Sequence, residues 1–227
     1  MPLNCKNGMS SSELHRALGV TQKTAWFMLH RIRFAAQSKT FSKKLGAEVE
    51  VHETFIGGKP RNMHASERKA HIHGGGPGGK AIVAAVLKRG GTVRAKVCST
   101  RRKPELQELL RENVEVGSRL YSDAPKSYDG LDEFQHQLID HAVAYLEGNL
   151  HTTGLETFWS LQKRSLIGTY VNVDPFHLFR YVAEQAFRFN NRNMDNLERF
   201  VCAMRHIVGR TLTYKELTGK AEAAHGA

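Results

Sequence analysis

The segment EVEVHETFIGG, residues 48–58, decides the fold, because it predicts the first strand of a sheet. Its first nine residues are rich in β-branched and aromatic side chains, and the pair Gly57-Gly58 ends the run. Two more strands are predicted over 81–88 and 92–99, joined at Arg89-Gly90-Gly91, which is a hairpin turn signal. The predicted sheet therefore begins with three consecutive strands.

Helices and two further strands follow this hairpin in a particular order. Residues 104–113 predict a helix, and residues 118–122 and 134–139 predict the fourth and fifth strands. Long helices are predicted over 153–168 and 175–190. Three strands, a helix, a strand, a short helix, a strand and long helices make up the element order of the RNase H-like fold. The predicted fold class is therefore α/β, an RNase H-like mixed sheet flanked by helices and preceded by a small helical helix-turn-helix domain.

In that fold the middle of the first strand, the end of the fourth strand and a late helix converge on one site. The residues at those points are His52, Asp123 and Glu156. Acidic groups there would hold two divalent cations, which take oxygen ligands, and two such ions about 4 Å apart clamp the attacking and leaving oxygens of a phosphodiester displacement. Taken singly, Asp123 also fits a routine turn before Pro125, and Glu156 fits a surface residue paired with Lys163.

The region before the sheet predicts two short helices joined by a tight turn. Ser10 can cap the first helix, over 10–18, and Glu13 completes a capping box. Thr21 can cap the second helix, which runs to about Gln37. The pattern fits a helix-turn-helix, whose second helix enters the DNA major groove, and it equally fits a plain helical hairpin with a basic face.

In a helix-turn-helix, the start of the second helix would contact base edges or phosphates through Gln22, Lys23 and Thr24. Farther along the same helix, Arg31 and Arg33 would contact the DNA backbone. The apolar residues expected to hold the two helices together are Leu14, Ala17, Leu18, Ala25, Met28, Leu29 and Ile32.

Composition and charge indicate the partner and the location. Lys and Arg total 33 and Asp and Glu total 22, for a formal net charge of +11, which favours a polyanionic partner such as double-stranded DNA. The longest apolar run, residues 81–87, is far shorter than the roughly 20 residues that span a bilayer. Residues 1–12 lack the apolar core of a signal peptide. We therefore expect a cytoplasmic location and no membrane partner.

Five stretches of the sequence resemble the ISXO-like insertion-sequence transposases. The stretch VEVHETFIGGKPRNMH (49–64) is similar to the family's segment around its first catalytic aspartate, whose expected form is Glu-x-Asp-Glu-Thr-x-x-Gly-Gly-Lys. Two further stretches are similar to the family's second and third catalytic segments, namely LYSDAPKSYDGL (120–131) and HTTGLETFWSLQKRSLIGTY (151–170). The last two are similar to the family's closing helix and helix-turn-helix, namely RYVAEQAFRFNNR (180–192) and NCKNGMSSSELHRALGVTQKTAWFMLHRIR (4–33).

This resemblance implies roles for individual residues. Asp123 and Glu156 match metal-binding acids of the family's active site. Lys163 matches a lysine that contacts DNA near the cleaved phosphate, and Arg164 beside it is expected to bind DNA as well. His52 stands where the family has its first catalytic aspartate.

The chain departs from the family pattern at three points. His52 is one, because magnesium binds imidazole poorly, whereas manganese tolerates nitrogen better. Glu50 lies on the same strand face about 7 Å away and is expected to be a poor replacement. Thr153 stands at an asparagine that some members use as the third active-site residue. The third departure is length, since family members usually begin with a zinc ribbon, and no cysteine pair is present here to supply that zinc.

The resemblance implies a DNA transposase that nicks the ends of an insertion sequence and joins them to target DNA. It also implies two Mg²⁺ or Mn²⁺ ions and a homo-oligomer that holds the DNA ends together. With His52 in place, we expect the fold and the DNA affinity to survive and the chemistry to be weakened. The alternative is a truncated, catalytically inactive remnant that only binds DNA.

The expected domain organisation has three parts. Residues 1–45 would form the helix-turn-helix segment, residues 46–195 the RNase H-like catalytic domain, and residues 196–227 a C-terminal helical tail.

Overall fold

The computed structural model describes residues 2–37, 43–57, 79–100, 102–123, 125–139 and 153–219. The chain forms two compact units. We call them the sheet unit, composed of residues 43–163 and 174–179, and the helical unit, composed of residues 1–42, 164–173 and 180–227. The three-part functional division expected from the sequence stays a prediction.

The sheet unit is built on a mixed sheet of five strands, which confirms the α/β class and every strand predicted from the sequence. The strands are β1 (Glu48–Ile56), β2 (Ala81–Lys88), β3 (Val93–Cys98), β4 (Arg119–Ser122) and β5 (Gln135–Leu138). Their order across the sheet is β3-β2-β1-β4-β5. β1 pairs with β2, and β2 with β3, in antiparallel fashion, whereas β1 with β4 and β4 with β5 are parallel.

Helices pack on both faces of this sheet. They are α3 (Lys103–Asn113), the short α4 (Pro125–Tyr128) and α5 (Thr153–Ser165), while α1 and α2 precede the sheet in the chain and belong to the helical unit. Val49 and Val51 of β1 face one side, where they join a core with Leu106 and Leu110 of α3. Because side chains alternate along a strand, Glu50 and His52 face the other side, which α5 covers.

Within its described residues, the helical unit contains the two predicted N-terminal helices and three other α-helices, besides short 3-10 and π turns. The five α-helices are α1 (Ser11–Leu18), α2 (Gln22–Ala36), α6 (Leu178–Asn190), α7 (Asn196–Ile207) and α8 (Tyr214–Thr218), although the first two residues of α6 belong to the sheet unit. The predicted capping box of Ser10 and Glu13 is present, and the Thr21 side chain caps α2. Gly19 ends α1 in the left-handed conformation, with φ of 67°. Both predicted N-terminal helices and their caps are therefore confirmed.

The packing of α1 on α2 differs in part from the expectation. Leu14 packs on Ala25 and Leu29 as predicted, but Ala17 is exposed and Leu18 is 52% exposed. Ile32 packs instead in a second cluster that includes Leu3 and Phe187. Length explains the position of Ile32, because the 8 residues of α1 span about 12 Å and the 15 residues of α2 about 22 Å, so the end of α2 extends beyond α1.

None of the helices within the described residues is long and apolar enough to cross a membrane.

Candidate active site

His52 and Asp123 meet beside the centre of the sheet. The parallel register of β1 and β4 pairs Glu50 with Tyr121, so the same register, two residues on, brings position 52 level with position 123. The Nε2 atom of His52 lies 2.9 Å from Oδ2 of Asp123. The side chain of His52 is 26% exposed and that of Asp123 is 28% exposed, so the pair is accessible from outside.

The second ring nitrogen of His52 contacts α5. The indole nitrogen of Trp159 lies 3.0 Å from Nδ1 of His52. An indole N–H can only donate, so Nδ1 must accept and its lone pair is used in this bond. The ring proton is therefore on Nε2, which donates to Asp123. Both nitrogens of His52 are occupied, one as an acceptor and one as a donor.

Glu50 lies under the start of α5 and is buried. Its Oε2 accepts the backbone N–H of Leu155 at 3.1 Å, and its Oε1 accepts Nε of Arg89 at 3.3 Å. Burial raises the pKa of Glu50, these two donors oppose that shift, and the charge of Glu156 adds to it. Each oxygen of Glu50 therefore already accepts one hydrogen bond, and the bond to Leu155 anchors the start of α5 to the sheet.

The start of α5 approaches the sheet closely because residue 154 is glycine. A Cβ atom at Gly154 would lie 2.3 Å from Cδ2 of Leu87, so that something would have to shift, and it would lie 3.1 Å from Oε2 of Glu50, which is a tight contact. Glu156 follows in the first turn of α5, exposed and one helical turn before Trp159. The docking of α5 therefore brings Glu156 to the part of the sheet where Glu50 and His52 lie.

The residues of this site do not fit a pair of divalent cations. Within the described part of the chain, no group of three or more His, Cys, Asp or Glu residues is arranged to hold a metal ion. His52 directs an N–H at Asp123, whereas a cation at that point needs a lone pair. The N–H on Nε2 thus takes one acceptor position of a carboxylate oxygen at which a metal would otherwise bind.

The other residues predicted for DNA contact lie on helix surfaces, with one exception. Lys163 and Arg164 are exposed in the second half of α5. Gln22, Lys23 and Thr24 are exposed in the first turn of α2, and Lys23 lies over the ring of Tyr214, 5.0 Å from its centre. These positions leave their side chains accessible to a large ligand.

The exception is Arg33, whose burial does not fit the expected contact with a DNA backbone. Arg31 is exposed on α2, whereas Arg33 is 2% exposed and its Nε lies 2.7 Å from Oε2 of Glu184. Its guanidinium packs over the rings of Tyr170 and Tyr181 at 4.9 and 4.1 Å. Arg33 therefore belongs to the interior of the helical unit, since position 33 is on the inner face of α2.

Glu184 is the centre of that buried cluster. Besides Arg33, it accepts Nη1 of Arg188 at 2.5 Å and the hydroxyl of Tyr170 at 2.9 Å. Burial opposes ionisation, but the two guanidinium groups outweigh it and hold the pKa of Glu184 below its usual range. Burial beside the charge of Glu184 raises the pKa of Tyr170 to about 12.

Sequence reasoning missed three features of these sites. They are the bond from Trp159 to His52, the buried acid Glu184 and the close approach of α5 to the sheet at Gly154. Only the first had a usable signal, because Trp159 lies one helical turn from Glu156 and a buried indole N–H needs an acceptor.

Comparisons with known proteins show which family the sequence resembles. Residues 44–190 match the ISXO2-like transposase domain, which covers all five strands and α5. An uncharacterized transposase-like protein of Haemophilus influenzae is 35% identical over 88 residues, which are 38% of this chain and 71% of that protein.

Proposed function

The chain belongs to the ISXO2-like transposase family, and on that premise we propose that it is a DNA transposase whose cleavage and strand-transfer chemistry is attenuated at position 52. The observation that carries the proposal is the 2.9 Å contact between Nε2 of His52 and Oδ2 of Asp123 in the middle of the site. It supports the assignment as a transposase, because it joins two of the three expected site positions. It also supports the attenuation, because it places a histidine where an acid is expected.

We propose that the sheet unit is RNase H-like and that α1 and α2 form a helix-turn-helix. The strand order β3-β2-β1-β4-β5, in which β2 runs antiparallel to the other four strands, supports the first assignment. The Gly19 turn between two capped helices supports the second. In such an arrangement α2 enters the major groove.

The distribution of charge supports duplex DNA as the partner of the helical unit. That unit has 15 Lys and Arg against 6 Asp and Glu, a net charge of +9, whereas the sheet unit has 18 against 16, a net charge of +2. Nearly all of the positive excess is thus in the unit that contains α2. Exposed Gln22, Lys23 and Thr24 would contact base edges or phosphates, and Arg31 would contact the backbone.

In the proposed reaction, water breaks the P–O3′ bond at each element end and frees a 3′ hydroxyl. That hydroxyl then attacks a target phosphodiester in line and displaces the 3′ oxygen of the target strand. Asp123 and Glu156 would be the remaining acids of the site. Lys163, seven residues or about 10 Å along α5 from Glu156, would bind the DNA near the cleaved phosphate, with Arg164 beside it. A homo-oligomer would hold two element ends together.

Transposases of this class generally use divalent metal ions, and Mg²⁺ or Mn²⁺ is the cofactor expected for an active member. The donor set found here is short of one acid, and His52 supplies an N–H in its place. The full pair of ions therefore lacks its ligands, which is the reason for the proposed attenuation.

The test compares the natural chain with His52→Asp on DNA that carries the terminal repeats flanking its gene. We expect similar DNA affinity for both proteins and at least about 100-fold more cleavage by His52→Asp in Mg²⁺, because the variant restores an oxygen ligand. Glu156→Gln in the His52→Asp background is the matched control and should abolish the gain. Equal, robust cleavage by the natural chain and His52→Asp would refute attenuation at position 52.

A second candidate function is a DNA binder that does not cleave. It is favoured by the absence, among the described residues, of any group of three side chains fit to hold a metal ion. A pure binder would protect the terminal repeats and inhibit His52→Asp in a mixed reaction. It would itself show no cleavage in Mg²⁺ or Mn²⁺.

A further inference from the structure

We propose that Trp159 and His52 form a latch on Asp123, in which a proton on His52 takes the position that a cation would have. The latch is defined by these three residues. It rests on the proposed function only in assigning Asp123 to the transposase site. In the latch, Trp159 is a positioning residue, since it acts on Asp123 through His52.

Trp159 determines which nitrogen of His52 has the proton. The indole N–H reaches Nδ1 at 3.0 Å and can only donate, so the imidazole must accept there. Rotating the ring to present the other edge would leave the N–H of a buried Trp159 without an acceptor, which is costly. The remaining nitrogen, Nε2, is therefore kept as a donor, 2.9 Å from Oδ2 of Asp123.

The indole is itself held in place. Trp159 is 3% exposed and packs against Phe158 with ring centres 4.9 Å apart. It belongs to α5, whose start is anchored by the bond from the Leu155 amide to Glu50 and by the close approach at Gly154. The donor thus comes from a fixed helix, and the orientation of His52 follows from the packing of the sheet unit.

Two consequences follow for the binding of cations. The Nδ1 lone pair of His52 is used by Trp159, and Nε2 has no lone pair, so His52 offers nothing to a metal ion. A cation approaching Oδ2 of Asp123 must also share that oxygen with the N–H that it already accepts. The latch therefore holds Asp123 in position without a metal and competes with a metal for it.

Two amide substitutions separate the two hydrogen bonds. The shorter side chain of His52→Asn places its amide group near Nδ1, where its oxygen can accept from Trp159 but nothing reaches Asp123. The longer side chain of His52→Gln places its amide group near Nε2, where its nitrogen can donate to Asp123. Both variants introduce the same chemical group, so each is the control for the other.

The first measurement is the protonation pattern of His52 by nitrogen NMR of histidine-labelled protein, assigned by the signal that His52→Asn removes. We expect protonated Nε2 and bare Nδ1 in the natural chain. In Trp159→Phe, which retains an aromatic ring but lacks the N–H, we expect a mixture of the two tautomers. A proton on Nδ1 in the natural chain overturns the proposal, and this result needs no variant other than the one used for assignment.

The second measurement is Mn²⁺ affinity by calorimetry without DNA. We expect His52→Asn to bind Mn²⁺ at least about tenfold more tightly than the natural chain, and His52→Gln to stay within about threefold of it. Equal affinity of His52→Asn and His52→Gln overturns the latch. Because neither measurement involves DNA, a failure of His52→Asp to cleave would reject the proposed function and leave the latch standing.

Discussion

Glu184 in the helical unit and Asp123 in the sheet unit are both carboxylates that accept hydrogen bonds from nitrogen donors, but they differ in burial and in the donors. Glu184 is 2% exposed and is bonded by two guanidinium groups and a phenol. Asp123 is 28% exposed and accepts from an imidazole. The first arrangement leaves no room for a ligand and serves the fold, whereas the second leaves an accessible carboxylate at a site. Burial and donor charge together therefore distinguish an acid enclosed by the fold from one that stays accessible to a ligand.

The largest effect that would sharpen this contrast is expected from Glu184→Ala. Removing the acid leaves the guanidiniums of Arg33 and Arg188 buried without their carboxylate, which should cost about 3–5 kcal/mol of the free energy of unfolding. Asp123→Asn is the comparison in the other unit and should cost about 1 kcal/mol, since its surroundings are partly hydrated. Denaturant unfolding followed by circular dichroism measures both. Equal losses for the two variants would break the contrast.

Packing at the start of α5 provides the next largest effect. Gly154→Ala places a methyl group 2.3 Å from Cδ2 of Leu87, which should cost about 1–3 kcal/mol of unfolding free energy and shift α5 away from His52. Gly168 of the helical unit is a matched control, because a Cβ there meets nothing within 4 Å. Gly168→Ala should change the free energy of unfolding by less than about 0.5 kcal/mol. A tolerated Gly154→Ala would show that the close approach is not required.

The pKa shifts of two acids, one in each unit, predict opposite effects of pH on the free energy of unfolding. The pKa of Glu184 is lowered in the folded protein, so its stabilising contribution is present above the ordinary glutamate pKa of about 4.3 and is lost as the pH falls through the lower folded value. The pKa of Glu50 is raised by burial, so the stability that it contributes is lost as the pH rises from about 4.3 through the folded value.

The measurement is the free energy of unfolding from pH 3 to pH 8 for the natural chain, Glu184→Gln and Glu50→Gln. Relative to Glu184→Gln, the natural chain should lose stability toward acid. Relative to Glu50→Gln, it should gain stability in the same direction. Parallel curves for all three proteins would mean that neither carboxylate changes its proton affinity on folding.

The smallest effect concerns DNA affinity. Replacing Lys23 or Arg31 with alanine should each reduce the slope of log affinity against log salt by about 1, because each would release one counterion on binding a phosphate. Lys88 and Lys103 of the sheet unit are exposed as well, and their alanine variants are the controls, with an unchanged slope. Fluorescence anisotropy over a series of salt concentrations measures the slope. If the salt slope changed more for the Lys88 and Lys103 variants than for the Lys23 and Arg31 variants, the proposed DNA contact of the helical unit would be wrong.

The local elements were predictable because their signals lie within a few residues of one another. The capping box of Ser10 and Glu13 spans four residues, and the hairpin at Arg89-Gly90-Gly91 needs only its own turn chemistry. The meeting of positions 52 and 123 was also expected, but only from the element order and the family resemblance. Nothing in either local segment shows which strands become parallel neighbours.

The burial of Arg33 shows where such reasoning fails. Arg33 is a basic residue two positions after Arg31 on the same predicted helix. The local sequence gives no reason to predict that one is exposed and the other buried. The partner that draws Arg33 inward is Glu184, 151 residues away. Periodicity and local spacing cannot show a partner that lies so far away in the sequence.

By itself, the sequence determined the strands and helices, their caps, the net charge of +11 and the family, since each depends on short patterns or on composition. Only the tertiary structure decided how the chemistry-bearing side chains are used. The proton position on His52 depends on an indole that α5 brings across the sheet, and the role of Glu50 depends on the amide above it. Such roles follow from which groups meet, and that is a property of packing over more than a hundred residues of separation.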